Sequence, residues 1–127
     1  MKKVQLFSFL LTLFAASVVF AGTLAAAFQW VETEHSFGKI QKGKPVTAEF
    51  KFTNSGEAPL IISNARGSCG CTGVEFPKEP IMPHASGTIK ATFNAANAGA
   101  FNKTVTVESN AEGGPIYLQI RGEVVAD

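Results

Sequence analysis

A chain of 127 residues with a formal net charge of +1 has room for one domain built on one hydrophobic core. Its basic residues are scattered, and the one cluster, Lys39, Lys42 and Lys44, reads as the solvated edge of a loop, so no footprint for nucleic acid is present. Two cysteines separated by a single residue cannot staple two sheets together, so apolar burial has to hold the fold.

The first 21 residues, MKKVQLFSFLLTLFAASVVFA, read as a cleaved export signal. Lys2 and Lys3 form the positive start, Leu6 to Phe20 is almost wholly apolar, and Val19-Phe20-Ala21 has the small-residue pattern of a cleavage site. Ala25-Ala26-Ala27 offers a second one. The apolar run is short for a membrane anchor, which needs roughly 20 residues, and no cysteine stands nearby for lipidation. The expectation is a periplasmic or secreted protein with no membrane span after cleavage. Losing Lys2 and Lys3 from eleven basic residues leaves nine against ten acidic ones. A linker or first strand is expected over 22–32 and the folded domain over 33–127.

From Phe28 onward the pattern is strand and turn. Phe28 to Ile40 fits a first strand only in part, through the alternation of Trp30, Glu32 and Glu34 with Gln29, Val31 and Thr33. Val46, Ala48, Phe50 and Phe52 alternate cleanly with Thr47, Glu49, Lys51 and Thr53, the mark of a strand with one buried face. Asn54-Ser55-Gly56-Glu57-Ala58-Pro59 is turn chemistry, and Leu60 to Ser63 is read as the next strand. Val74 and Phe76 share a face of a short extended piece, after which Pro77, Pro80 and Pro83 keep the connection irregular. Ile89, Ala91 and Phe93 form an inward row; so do Phe101, Val105 and Val107, interrupted by Lys103 as the edge of a sheet would allow. Ile116, Leu118 and Ile120 make the last row, with Val124 continuing it past Gly122. About seven strands with turn signals every 8–12 residues predict an all-β fold, an immunoglobulin-like antiparallel sandwich.

Ser68-Cys69-Gly70-Cys71-Thr72 is the stretch most like a site. Three chemistries fit it. Export favours a disulfide between Cys69 and Cys71, and the intervening glycine removes a Cβ that a tight ring would crowd, although the backbone must turn to bring the α-carbons into range. Two thiolates also suit copper(I), with Met82 and His84 as further ligands if their loop meets the cysteines. Free cysteine is also a common buried residue, which leaves a pair of inert thiols.

Elsewhere, His35 reads as an ordinary polar residue, and Glu75 and Glu79 as solvated carboxylates. With two histidines outside any motif, no nucleophilic triad can be proposed. Tyr117, Gln119 and Arg121 form the outward row of the last strand. Only Trp30 and Tyr117 speak for glycan binding.

The succession Phe37-Gly38-Lys39-Ile40, Phe52-Thr53-Asn54-Ser55-Gly56, Pro59-Leu60-Ile61-Ile62, Ser68-Cys69-Gly70-Cys71-Thr72, Pro80-Ile81-Met82-Pro83 and Val107-Glu108-Ser109-Asn110 resembles an exported bacterial family, the domain of unknown function 1573 (DUF1573). The resemblance runs roughly from Thr33 to Val125, and its most specific part is the Cys-Gly-Cys-Thr run. It implies an immunoglobulin-like, Hydin-like sandwich and no established activity, cofactor or partner. The family tends to have glycine after the second proline, where this chain has His84. The expected function is that of a non-enzymatic module for protein interaction or envelope structure, with an unknown protein partner in the cell envelope. The alternative is a thiol-dependent role at Cys69 and Cys71, by dithiol exchange or copper(I) binding.

Overall fold

A computed structural model describes residues 24–126. The expected export signal over 1–21 lies outside them. Eight strands follow in order: β1 (Phe28–Trp30), β2 (Glu34–Gln41), β3 (Val46–Asn54), β4 (Ile62–Gly67), β5 (Thr72–Glu75), β6 (Ser86–Phe93), β7 (Gly99–Ser109) and β8 (Ile116–Val125). They form two four-stranded sheets, ordered β1-β3-β6-β5 and β2-β8-β7-β4. Neighbours are antiparallel except β2 and β8, which run parallel. No helix among the described residues is long and apolar enough to cross a membrane.

The core is the sum of the alternating rows. Phe50 and Phe52 from β3 and Ile89 and Ala91 from β6 face Val105 and Val107 from β7 and Leu118 and Ile120 from β8, all buried. Each large side chain so buried contributes about 1.5–3 kcal/mol. The row on β8 passes through Gly122 to Val124. A Cβ at Gly122 would lie 2.8 Å from the Gly38 carbonyl and 2.9 Å from the Phe101 ring, so the gap in the row is where β2 and Phe101 come closest.

The stretch Phe28–Ile40 supplies two strands rather than one, and this accounts for the eighth. The Val31 N–H still donates to Lys51 in the first sheet, whereas the Thr33 carbonyl accepts from Gln119 in the second. The chain therefore changes sheets within three residues. The strand read at Leu60–Ser63 is also displaced: β4 starts at Ile62, and Leu60 instead makes an isolated bridge to Ile81.

One polar side chain fastens the end of β3. Asn54 is fully buried, and its Nδ2 donates to the carbonyls of Ala58 at 2.8 Å and Ile81 at 2.9 Å. Its Oδ1 accepts from the N–H groups of Gly56 at 2.9 Å and Ala27 at 3.3 Å. A single amide thus holds the N-terminal segment, the turn after β3 and the loop before β6.

That loop contains a strained residue. His84 has φ of 70°, its N–H donates to the Asn54 carbonyl at 2.7 Å, and its ring reaches Glu57 at 3.8 Å with both side chains mostly in solvent. The left-handed region suits glycine, the residue that family resemblance leads one to expect here, and costs other residues roughly 1–2 kcal/mol. The exposed contact with Glu57 returns little of this. His84→Gly is expected to raise stability by about 1 kcal/mol, hence the melting temperature by about 4–8 °C. Thermal unfolding checks this, and a lower melting temperature would show that the Glu57 contact outweighs the backbone strain.

Candidate functional site

The Cys-Gly-Cys stretch is the crossover between sheets. β4 pairs with β7 from Ile62 opposite Ser109 to Gly67 opposite Val105, and there it leaves. The last tie to β7 is a side chain, with the Thr104 N–H donating to Ser68 Oγ at 3.2 Å. The chain then turns, the Thr72 N–H meeting the Cys69 carbonyl at 3.3 Å, and enters the first sheet as β5. The Asn94 N–H donates to the Cys71 carbonyl at 3.1 Å, which fastens the loop to the end of β6.

Within this turn Cys69 and Cys71 are joined as a disulfide, their α-carbons 5.3 Å apart. Both residues are half-buried, while Gly70 between them is exposed. Cys69 Sγ accepts from the Cys71 N–H at 3.3 Å and lies 3.9 Å from Thr72 Oγ1. Thr72 itself is buried.

Cys71 forms one wall of a half-open recess of about 140 Å³ between the sheets. Phe93 and Phe101 form its floor, stacked at 4.0 Å between ring centroids, and the turn after β6 and Lys103 make the rim. Asn94 Oδ1 holds that turn by accepting from the Ala96 N–H at 3.1 Å. Lys103 follows the inward parity of Phe101 and Val105 but stands where the sandwich opens. Although β7 lies inside its sheet, β4 has already departed, so Gly99–Lys103 is paired with β8 on one side only. Thr104 directs its N–H to the β4 side. By the two-residue period, Ala100 and Asn102 point their backbone groups toward the same open side. The sequence signal was the lysine in an apolar row; what it flags, a half-open strand beside the disulfide, depends on where β4 stops.

The four residues considered for a soft metal do not come together. Met82 and His84 are exposed in the loop before β6, beside Asn54, whereas the cysteines adjoin the far end of β6. Eight residues of strand, about 25 Å, lie between them. Among the described residues no group of three or more His, Cys, Asp or Glu side chains has metal-binding geometry. His35 contacts Glu32 at 3.4 Å and packs edge-on to Phe37. Glu75 and Glu79 are exposed, and Lys42 lines a shallow depression with Gln41, Gly43 and Ala126.

Two facing sheets of four strands, with a loop crossing between them at one end, define an immunoglobulin-like, PapD-like β-sandwich. The family model described as "Protein of unknown function (DUF1573)" matches residues 28–124, and the chain belongs to that family. No curated protein matches the sequence. Among solved structures, the chain is similar to a protein of unknown function from Porphyromonas gingivalis W83 (TM-score 0.68, 12% identity), covering 77% of this chain and 46% of that one. It is also similar to the PapD-like domain 7 of human CEP192 (TM-score 0.65, 12% identity; 88% and 96% covered). A third likeness is to the secreted serine protease VesC from Vibrio cholerae (TM-score 0.59, 13% identity), with 77% of this chain and 23% of that one covered. The chain thus spans about half the length of the P. gingivalis protein and a quarter of VesC. At these identities the likeness is one of fold.

Proposed function

We propose that the chain is an exported, non-enzymatic module that holds a protein partner in the cell envelope by adding a strand to the open half of β7. The observation that carries this reading is the departure of β4 at Gly67, which leaves the backbone of Ala100 and Asn102 without a strand partner on that side among the described residues, beside the recess floored by Phe93 and Phe101. Unpaired strand edges recruit extended segments, with backbone hydrogen bonds supplying affinity and alternate side-chain pockets supplying specificity. The edge strands are blunted: β1 and β5 have three and four residues, β2 is irregular between Ser36 and Lys39, and β4 between Ile62 and Asn64. Gly99–Lys103 has neither proline nor bulge. A strand added there would place one side chain over Phe93 and Phe101 and the side chain two residues along near Lys103, which favours an apolar residue and a carboxylate at that spacing.

Export follows from the leader-like first 21 residues. A cut after Ala21 leaves the docked segment Ala25–Ala27 intact, whereas a cut after Ala27 removes the buried Ala26 and the bonds that Ala25, Ala26 and Ala27 make.

A photo-crosslinking residue at Asn102 is expected to give a higher-mass adduct in intact cells, and one at Glu49, mid-strand in β3, is not. Asn102→Pro removes an N–H from the open edge and is expected to abolish partner binding, measured by the loss of the same adduct from a crosslinker at Ala100, in a protein that still folds. Recovery of monomer alone from Asn102, or equal adducts from both positions, would refute strand addition at β7.

A further inference from the structure

We propose that Cys69–Cys71 is a thiol–disulfide exchange site with a fixed polarity: an incoming thiolate attacks Cys71 Sγ, and Cys69 Sγ leaves. The polarity rests on what surrounds each sulfur. Cys71 lines the half-open recess, and Lys103 is among the residues that line it with Cys71. A cation there attracts an approaching thiolate and favours the ionised, nucleophilic form of its thiol.

Cys69 has the setting of a leaving group. Its Sγ receives the Cys71 N–H at 3.3 Å, and Thr72 Oγ1 stands 3.9 Å away. Thr72 is buried, and this sulfur is the one hydrogen-bond contact of its hydroxyl among the described residues. Both donors strengthen once negative charge develops on the sulfur, because hydrogen bonds to ionised acceptors are about twice as strong as neutral ones. A better-stabilised thiolate leaves faster.

The exchange balances as follows. A thiolate R–S⁻ forms a bond to Cys71 Sγ, the bond to Cys69 breaks, and its electron pair stays on Cys69 as a thiolate. If R bears a second thiol, that thiolate attacks the sulfur of R in the mixed disulfide and expels Cys71. The substrate class is thus a dithiol, which is oxidised to a disulfide while Cys69 and Cys71 become the reduced pair and take up the two protons. Each oxidised chain reacts once and delivers one disulfide, so it acts as a reactant and not as a catalyst. The ring closed by a separation of two residues restrains little of the chain, so the sandwich does not depend on it.

The test uses the purified chain and glutathione as the probe. The oxidised protein is mixed with glutathione, quenched at short times with N-ethylmaleimide in acid, and mapped by peptide mass spectrometry. The expected product carries glutathione on Cys71 and maleimide on Cys69, in roughly tenfold excess over the reverse product, with the excess lost in denaturant. Thr72→Val is expected to slow the native reaction about threefold to tenfold while leaving the denatured reaction and the melting temperature unchanged. Adducts on Cys69, or equal adducts on both sulfurs in the native protein, would overturn the polarity. A native disulfide that reacts more than about tenfold slower than the denatured one, or a chain whose thiols stay free after diamide treatment, would overturn the exchange site itself.

Discussion

Asn54→Asp is expected to cost about 4–6 kcal/mol at neutral pH, a large part of the roughly 5–15 kcal/mol that holds a domain of this size together. The side chains are nearly the same size, so the loss comes from hydrogen bonding and charge. The amide donates to the carbonyls of Ala58 and Ile81 and accepts from the N–H groups of Gly56 and Ala27, all with no solvent exposure of Asn54. A carboxylate keeps the two acceptor contacts and replaces the donating Nδ2 with an oxygen that faces two carbonyl oxygens. Each orphaned buried carbonyl costs about 1–3 kcal/mol, and the unpaired charge adds more. The charge has an escape, since burial beside carbonyls raises the pKa of the new acid above its unfolded value of about 3.9. With a raised folded pKa, the charge penalty is absent at pH values below both pKa values and grows as pH rises through the unfolded and then the folded value. Denaturant unfolding of the variant should therefore show a larger deficit at pH 7 than at pH 4. A deficit within about 1 kcal/mol of the parent at pH 7 would mean that Ala58 and Ile81 find other donors, and the amide would lose its place as the fastening of three segments.

Asn54 also shows where sequence reading stops. Asn-Ser-Gly is turn chemistry, and the turn is there, but the burial of the amide comes from Ala27 and Ile81, each 27 residues away. The inward rows on β3, β6, β7 and β8 were legible because a period of two is local to each strand. The change of sheet between β1 and β2 was not, since bonds to Lys51 and Gln119 decide it and nothing within Val31–Thr33 announces it. β4 shows tertiary pairing overriding propensity: Asn64, Ala65 and Gly67 are poor strand formers, yet they pair along β7. Leu60 and Ile61, which read as strand, lie before it. The cysteine pair stood out by spacing alone. The recess behind it required Phe93 and Phe101 to stack, and the copper set required a meeting that the length of β6 prevents. Lys103 was legible as an exception, but its meaning depends on β4 ending one pair after Arg66 opposite Thr106.

Phe52→Ala is expected to cost about 3–5 kcal/mol, and the glycine opposite it explains how the ring is held. Phe52 is buried, with Phe28 packed edge-on at 5.0 Å and Trp30 tilted at 5.1 Å between ring centroids. Its cross-strand partner is Gly87, and a Cβ built there would sit 2.7 Å from the end of the ring. The ring therefore lies over the glycine and fills the space a side chain would take. Gly87→Ala in the parent forces the ring against Phe28 and Trp30 and should cost about 1–3 kcal/mol. In a Phe52→Leu background the shorter side chain gives up that space, so the same alanine should be nearly neutral and the two changes should couple by about 1–3 kcal/mol. Trp30, the only tryptophan in the chain, stacks on Phe28 at 4.8 Å and reports the change directly. Loss of the Phe52 ring admits water to the indole, and its emission should shift to the red in the folded protein. Urea unfolding followed by that emission gives all four corners of the cycle. Additive costs would show that Gly87 is not held small by the ring, and the glycine would then be a matter of backbone conformation alone.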